Sequence, residues 1–277
     1  MQHGPAMVCP SLLSERFDLV IFDWAGTMVD FGCCAPVTAL REAFARHGVC
    51  LTDAEVRRDM GKSKVDHVRA LLADPRVARA WQTANGNTPT LRDCDSIMVD
   101  LGPLMREQAE LAATLIEGGR DTVDKLRAAG LRVASSTGYT RAMMEPVLQR
   151  AASQGYAPDH LVCSGETPQG RPSPLMIYKA CVDLGVWPLS RVIKVDDSEA
   201  GVAEGRAAGC LTVGVSASGN SIGLCAADFA ALSVAERTSL VASAERSLRA
   251  AGADIVLESV ATLVPALEQY LSQQLRS

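Results

Sequence analysis

An aspartate stands where an apolar run ends in DLVIFDWAGTMVD, residues 18–30. The β-branched run before Asp23 suits a buried strand, and the Ala-Gly-Thr after it suits a turn. A carboxylate leaving a strand in this way is exposed at the sheet edge and can attack phosphorus, forming an aspartyl-phosphate. Taken alone, Asp23 fits equally well a residue that only caps the following turn. Three further segments narrow the choice. SSTGYT (135–140) brings hydroxyls after a second strand-like run, GRPSP (170–174) brings a cation before a helix, and KVDDSEAG (194–201) brings paired carboxylates after a third strand. A nucleophile, a hydroxyl, a fixed cation and carboxylates at strand ends or helix starts are the parts that phosphoryl transfer requires.

The elements that must gather these parts follow from periodicity. Short apolar runs predict strands over 18–22, 132–135, 192–195, 211–215 and 254–257, with a weaker one over 161–163. Helical patterns over 120–129, 141–152, 174–184 and 200–208 separate them, and three of these close on Gly130, Gly185 and Gly209, residues that accept the left-handed backbone of a helix stop. Alternation of this kind predicts an α/β fold with a doubly wound parallel sheet, whose ligands collect at the carboxyl ends of strands. Between the first strand and the helix at 120 the periodicity is helical throughout. That stretch is far longer than an ordinary crossover and reads as an inserted α-helical cap over 35–116. Its helices are expected over 36–46, 53–58, 64–72, 76–82 and 91–115, with a loop over 83–90. The core then comprises 1–34 and 117–277, with 1–17 as a loose N-terminal arm.

Composition sets the outer limits. The chain has 277 residues, is 48% hydrophobic and 21% charged, and carries a net charge of −5, which leaves no general field for nucleic acid or an anionic membrane. An anionic substrate therefore needs a local basic pocket. The nine cysteines contain no C-x-x-C pair, and most lie in apolar segments; reduced, buried thiols in a cytoplasmic protein are expected. The first 17 residues do not read as a signal peptide, and no run reaches the ~18 apolar residues of a membrane span.

The order of the four chemistry-bearing segments resembles the four motifs of the haloacid dehalogenase superfamily, over nearly the whole chain after the arm. The resemblance implies that superfamily's Rossmannoid core, with Asp23 as nucleophile and Thr137, or Ser136 beside it, as a phosphate contact together with Gly138 and Arg171. It further implies magnesium held by Asp23, Asp197 and the backbone carbonyl of Ala25, with Asp196 orienting the ligands and Ser136 supporting the site from behind; magnesium suits few carboxylates plus water and phosphate oxygens. Phosphatases and mutases of the superfamily carry an aspartate two positions after the nucleophile to protonate a leaving oxygen. Here that position is Ala25, so a leaving group that needs no such proton is expected.

MGKSKVDHVRAL (60–71), with DWAGTMVDFG (23–32) and STGYT (136–140), resembles the phosphonoacetaldehyde hydrolases, in which the lysine before V-D-H-V-R forms an imine with the substrate aldehyde. Lys64 takes that place. The resemblance implies cleavage of a carbon–phosphorus bond through a Lys64 Schiff base and an Asp23 aspartyl-phosphate, Met60 and His67 flanking the lysine, Cys33 near the substrate entrance, and a homodimer. Tyr139 is placed to hydrogen-bond at the site, and His67 to relay protons. A free lysine titrates near ~10.4, so the site must depress this one. The Ser63-x-x-Asp66 pattern would put it in a helix's first turn, at the positive dipole end, with Lys62 and Arg69 adding repulsion. Two departures stand out: Asp196-Asp197 is followed by Gly201 where many relatives have another aspartate, and Lys62 and Ser63 replace apolar residues. A phosphatase or phosphoglucomutase-like enzyme, and a catalytically silent binding or scaffold protein, are the competing readings.

Overall fold

The computed structural model describes residues 11–276. Six parallel strands form one sheet in the order β3-β2-β1-β4-β5-β6: β1 (Leu19–Phe22), β2 (Arg132–Thr137), β3 (His160–Cys163), β4 (Val192–Asp196), β5 (Leu211–Val215) and β6 (Ile255–Leu257). All four residues of β1 are buried, as a strand covered on both faces requires. Its register sets Phe22 beside Ser135 of β2 and Val195 of β4, so the ends of the three chemistry-bearing strands stand side by side. The strand order reverses at β1, which opens a crevice at the carboxyl ends of β1 and β4.

Between β1 and β2 the chain is helical: α2 (Cys34–Arg46), α3 (Asp53–Arg58), α4 (Lys64–Ala73), α5 (Pro75–Asn85), α6 (Leu91–Ala112) and α7 (Gly119–Ala128). Each of α3 to α6 starts on a capping side chain, Thr52, Ser63, Asp74 and Thr90 in turn, which satisfies amides that the first turn leaves without partners. The expected loop over 83–90 is shorter than predicted, because α5 runs on to Asn85 before Gly86 turns it off. The remaining helices are α8 (Arg141–Ser153), α9 (Leu175–Leu184), α10 (Glu199–Ala208), α11 (Ala226–Ala231), α12 (Val234–Ala251) and α13 (Leu263–Gln274).

The N-terminal arm requires a correction. Residues 1–10, including Cys9, lie outside the described residues, but Leu12–Arg16 form a helix, α1, capped by Ser11. Leu13 and Phe17 are buried in the main core, and Arg191 ties α1 down by donating to the carbonyls of Ser14 and Glu15 and to the Asp18 carboxylate. Leu13 and Phe17 were the apolar side chains in the sequence that marked residues 11–17 as docked. Among the described cysteines, Cys33, Cys94, Cys163, Cys181 and Cys210 are buried, whereas Cys50 and Cys225 are exposed. No helix among the described residues is long and apolar enough to cross a membrane.

Phe17→Ala should lower the unfolding free energy by about 3–5 kcal/mol in chemical denaturation. A loss below about 1 kcal/mol would mean that this end of the chain is peripheral after all.

Candidate active site

Asp23 follows β1 directly, its amide donating to Val195 O at 2.9 Å. The turn after it is drawn tight by the Trp24 carbonyl, which accepts from the amides of Thr27, Met28 and Val29. Gly26, at φ +83°, lies so close to Asp197 that a Cβ would stand 2.4 Å from its Oδ2. This is one position where glycine is a requirement of space and of backbone.

Asp23, Asp196 and Asp197 bring carboxylate oxygens within 4.8 Å of one another, all buried. Arg171 reaches this cluster from the GRPSP segment: its Nη1 lies 2.7 Å from Asp23 Oδ1 and 3.4 Å from Asp196 Oδ2. Lys194, inside β4, lies 2.9 Å from the same Asp196 oxygen. The three acids consequently differ. Burial raises Asp23 to about 6, with the Asp196 charge adding to it. Burial also works against charge on Asp196, but Arg171 and Lys194 hold it below the usual carboxylate range. Asp197, buried and facing the other two, is pushed well up. Thr27, Cys33 and the Asn220 amide all donate to its oxygens.

With the buried Glu204 beside Arg171 and Lys194, four carboxylates face two cations in this water-poor region. With all four ionised, the negative charges exceed those of Arg171 and Lys194 by two, a surplus that one divalent cation would neutralise. The donor set therefore fits a metal, with Asp23 and Asp197 presenting oxygens to the pocket.

Gly201 has its reason here. A Cβ at that position would sit 1.9 Å from Asp196 Oδ2, so the Asp196 carboxylate occupies the space that a side chain at 201 would need. Ser198 fixes it there from both its amide and its hydroxyl.

Above the acids, Lys64 opens α4 in the turn capped by Ser63. It is only 2% exposed, and burial brings its pKa down to about 8. The expected causes need revision. Desolvation leads, and the repelling charge is Arg171, while Cys33, Asp23 and Asp30 act the other way. Lys62 is instead paired with Asp59, and Arg69 with Asp66. The Lys64 Nζ stands 5.0 Å from the centroid of the Tyr139 ring, a cation–π distance.

Asp23, Ala25, Lys64, Thr137, Gly138, Tyr139, Arg171 and Asp197 line one pocket, with Met60 and Cys33 also in its wall. Ser136 and His67 lie outside this pocket. Ser136 points away from the pocket, its hydroxyl accepting from Arg171 Nη2 and Lys194 Nζ, so Thr137 is the hydroxyl that faces it. His67 lies behind the lysine, fully buried, with Nε2 on the Val56 carbonyl at 2.7 Å. Burial and the Lys64 charge lower it to about 3. The ring lines no part of the pocket, and its Nδ1 has no hydrogen-bond partner.

The helical segment is clamped to the sheet at two points. A Cβ on Gly138 would come within 2.5 Å of the Lys62 carbonyl. Arg57 donates to the carbonyls of Gly32, Asn220 and Gly223, and Asn220 Nδ2 returns a bond to Arg57 O. Sequence reasoning passed over Lys194, Glu204 and Asn220. A lysine inside the apolar run VIKVD was the one available sign of the first.

A family model of haloacid dehalogenase-like hydrolases matches residues 17–209. The phosphonoacetaldehyde hydrolase of Paraburkholderia phytofirmans is 44% identical over 246 residues, 89% of this chain and 92% of that one. The chain belongs to the haloacid dehalogenase-like hydrolases, in the branch of the phosphonoacetaldehyde hydrolases. The enzyme of this name from Syntrophobacter fumaroxidans is 42% identical, over 90% of each chain. A crystal structure of a phosphonoacetaldehyde hydrolase-like protein from Oleispira antarctica superposes on this hydrolase with a TM-score of 0.90 at 37% identity, over 99% of both chains.

The low pKa of Lys64 can be read without substrate. Reductive methylation by formaldehyde, followed at the Lys64 peptide by mass spectrometry from pH 6 to 10, should rise with pH through a midpoint near 8. Depression of an amine's pKa moves its neutral, reactive form to lower pH, so a midpoint near ~10.4 would show an ordinary solvated lysine.

Proposed function

We propose that this hydrolase cleaves the carbon–phosphorus bond of phosphonoacetaldehyde to acetaldehyde and phosphate. The observation that carries the reading is a pocket with a buried amine of low pKa on one wall and a buried carboxylate on another, with alanine at position 25. The names of the relatives support the same substrate.

The free amine of Lys64 adds to the aldehyde carbon and releases water, giving an imine. Asp23 then attacks phosphorus. As its oxygen bonds to phosphorus, the carbon–phosphorus bond breaks and its electron pair moves into the imine, leaving an enamine that takes up a proton on carbon. Water hydrolyses the resulting imine to acetaldehyde and free Lys64, and a second water hydrolyses the aspartyl-phosphate. No leaving oxygen has to be protonated, which agrees with Ala25. A phosphomonoesterase or mutase would need an acid at that position. Arg171 and Thr137 bind the phosphoryl oxygens, and Tyr139 places its ring under the Lys64 amine. Magnesium, held by Asp23, Asp197 and the Ala25 carbonyl, would offset charge on the phosphoryl group.

In this reading residues 35–116 act as a cap that brings Lys64 over Asp23, with 1–34 and 117–277 as the core. The homodimer implied by resemblance would form through the cap, where Val99 and Leu111 of α6 are exposed.

Borohydride reduction in the presence of phosphonoacetaldehyde should leave a two-carbon adduct on Lys64, and Lys64→Arg should abolish turnover while the fold is retained, since a guanidinium cannot form the imine. Residual activity of the arginine variant within tenfold of the parent would refute the Schiff base. Chelation of divalent cations should stop phosphate release and added magnesium should restore it. Asp197→Asn should prevent that recovery and should also remove calorimetric magnesium binding.

A further inference from the structure

Glu204 lies in α10, fully buried, and the pocket does not include it. Its carboxylate is nonetheless in contact with the phosphate-binding arginine. Oε2 accepts from Arg171 Nε at 2.9 Å and from the Ser136 hydroxyl at 3.4 Å, and Lys194 Nζ stands 3.5 Å away. Oε1 has no hydrogen-bond partner. A buried acid with one oxygen unmatched is costly unless something is gained by holding it there.

The remaining donors of Arg171 show what is gained. Nη2 gives one bond to the Ser136 carbonyl at 2.7 Å and another to the Ser136 hydroxyl at 3.0 Å. With Nε on Glu204, the back of the guanidinium is committed to groups outside the pocket, and Nη1 alone reaches Asp23. A rigid planar fork held at its other two nitrogens can present the third in only one direction. The approach of α10 that makes this possible is built in as well, since Gly205 lies so close to β4 that a Cβ there would meet the Lys194 Cβ at 2.8 Å.

We propose that Glu204, with Lys194 as its counter-ion, is a positioning residue that aims Arg171 Nη1 at the phosphoryl group. The proposal rests on the assignment of Arg171 as a phosphate contact, and it leaves open the fate of the aldehyde end.

The test uses the whole chain with magnesium and inorganic phosphate as the probe. Glu204→Gln keeps the volume but removes the charge-assisted anchor, and the phosphate Kd from calorimetry should rise at least about tenfold. The pH midpoint of Lys64 methylation should move far less, since desolvation and not the Arg171 charge leads in lowering that amine. A Kd within twofold of the parent would overturn the proposal even if thermal stability fell, since that is the signature of a packing role alone. An equal disturbance of phosphate binding and of the Lys64 midpoint would overturn it too. Should the glutamine variant not fold, Glu204→Asp keeps a charge beside Lys194 while withdrawing it from Nε by one methylene. The same Kd should then rise about fivefold, and indifference would be equally fatal. A parent chain that turns over phosphonoacetaldehyde and binds phosphate, with Glu204 indifferent, sinks only the positioning role. A parent that does neither sinks the functional reading as well.

Discussion

Four carboxylates and two cations buried together at the reversal of the strand order are the constraint on which the rest of the structure depends. None of these groups is stable there alone, because a charge removed from water without a partner costs far more than a domain's net stability can supply. Arg171 and Lys194 take up part of the imbalance, on Asp196, on Glu204 and, through Arg171 Nη1, on Asp23. Asp23 and Asp197 are nonetheless the two carboxyls of the four that are pushed upward. The two acids that line the pocket are thus the ones whose ionised forms would gain most from a further cation.

The close approaches around the site follow from packing these groups together. Gly26 lets the β1 turn come up against Asp197, Gly201 makes room for Asp196, and Gly205 lets α10 settle on Lys194. Each lacks a side chain where a neighbouring ionised one must pass. On the far wall the same exclusion of water acts on Lys64 in the opposite sense, favouring the neutral amine. One water-poor pocket therefore shifts both Asp23 and Lys64 toward their neutral forms.

Much of this was legible in the residue order. Asp23 at the end of an apolar strand, Lys64 after Ser63, and glycines at helix ends are local patterns, and the sheet and helical insertion follow from periodicity alone. What escaped depends on the third dimension. Glu204 looks like any exposed helix glutamate until α10 is laid on β4, and Ser136 cannot be separated from Thr137 until the pleat of β2 turns them to opposite sides. His67 sits one helical turn from Lys64, so sequence places the two together, yet the structure aims its ring at the Val56 carbonyl. The helix Val234–Ala251 went unpredicted although Ser233 and Glu236 form a capping box at its start and Gly252 ends it.

Asn220 holds two conversations. Its side chain exchanges hydrogen bonds with Arg57 of the helical segment, while its own amide grips Asp197 at 2.8 Å. A graft or shortened loop at this place cannot retune how the upper half rests without also tilting an acid in the lower half. Any redesign of the enzyme for a bulkier aldehyde would do better to leave this residue alone and widen the wall near Met60.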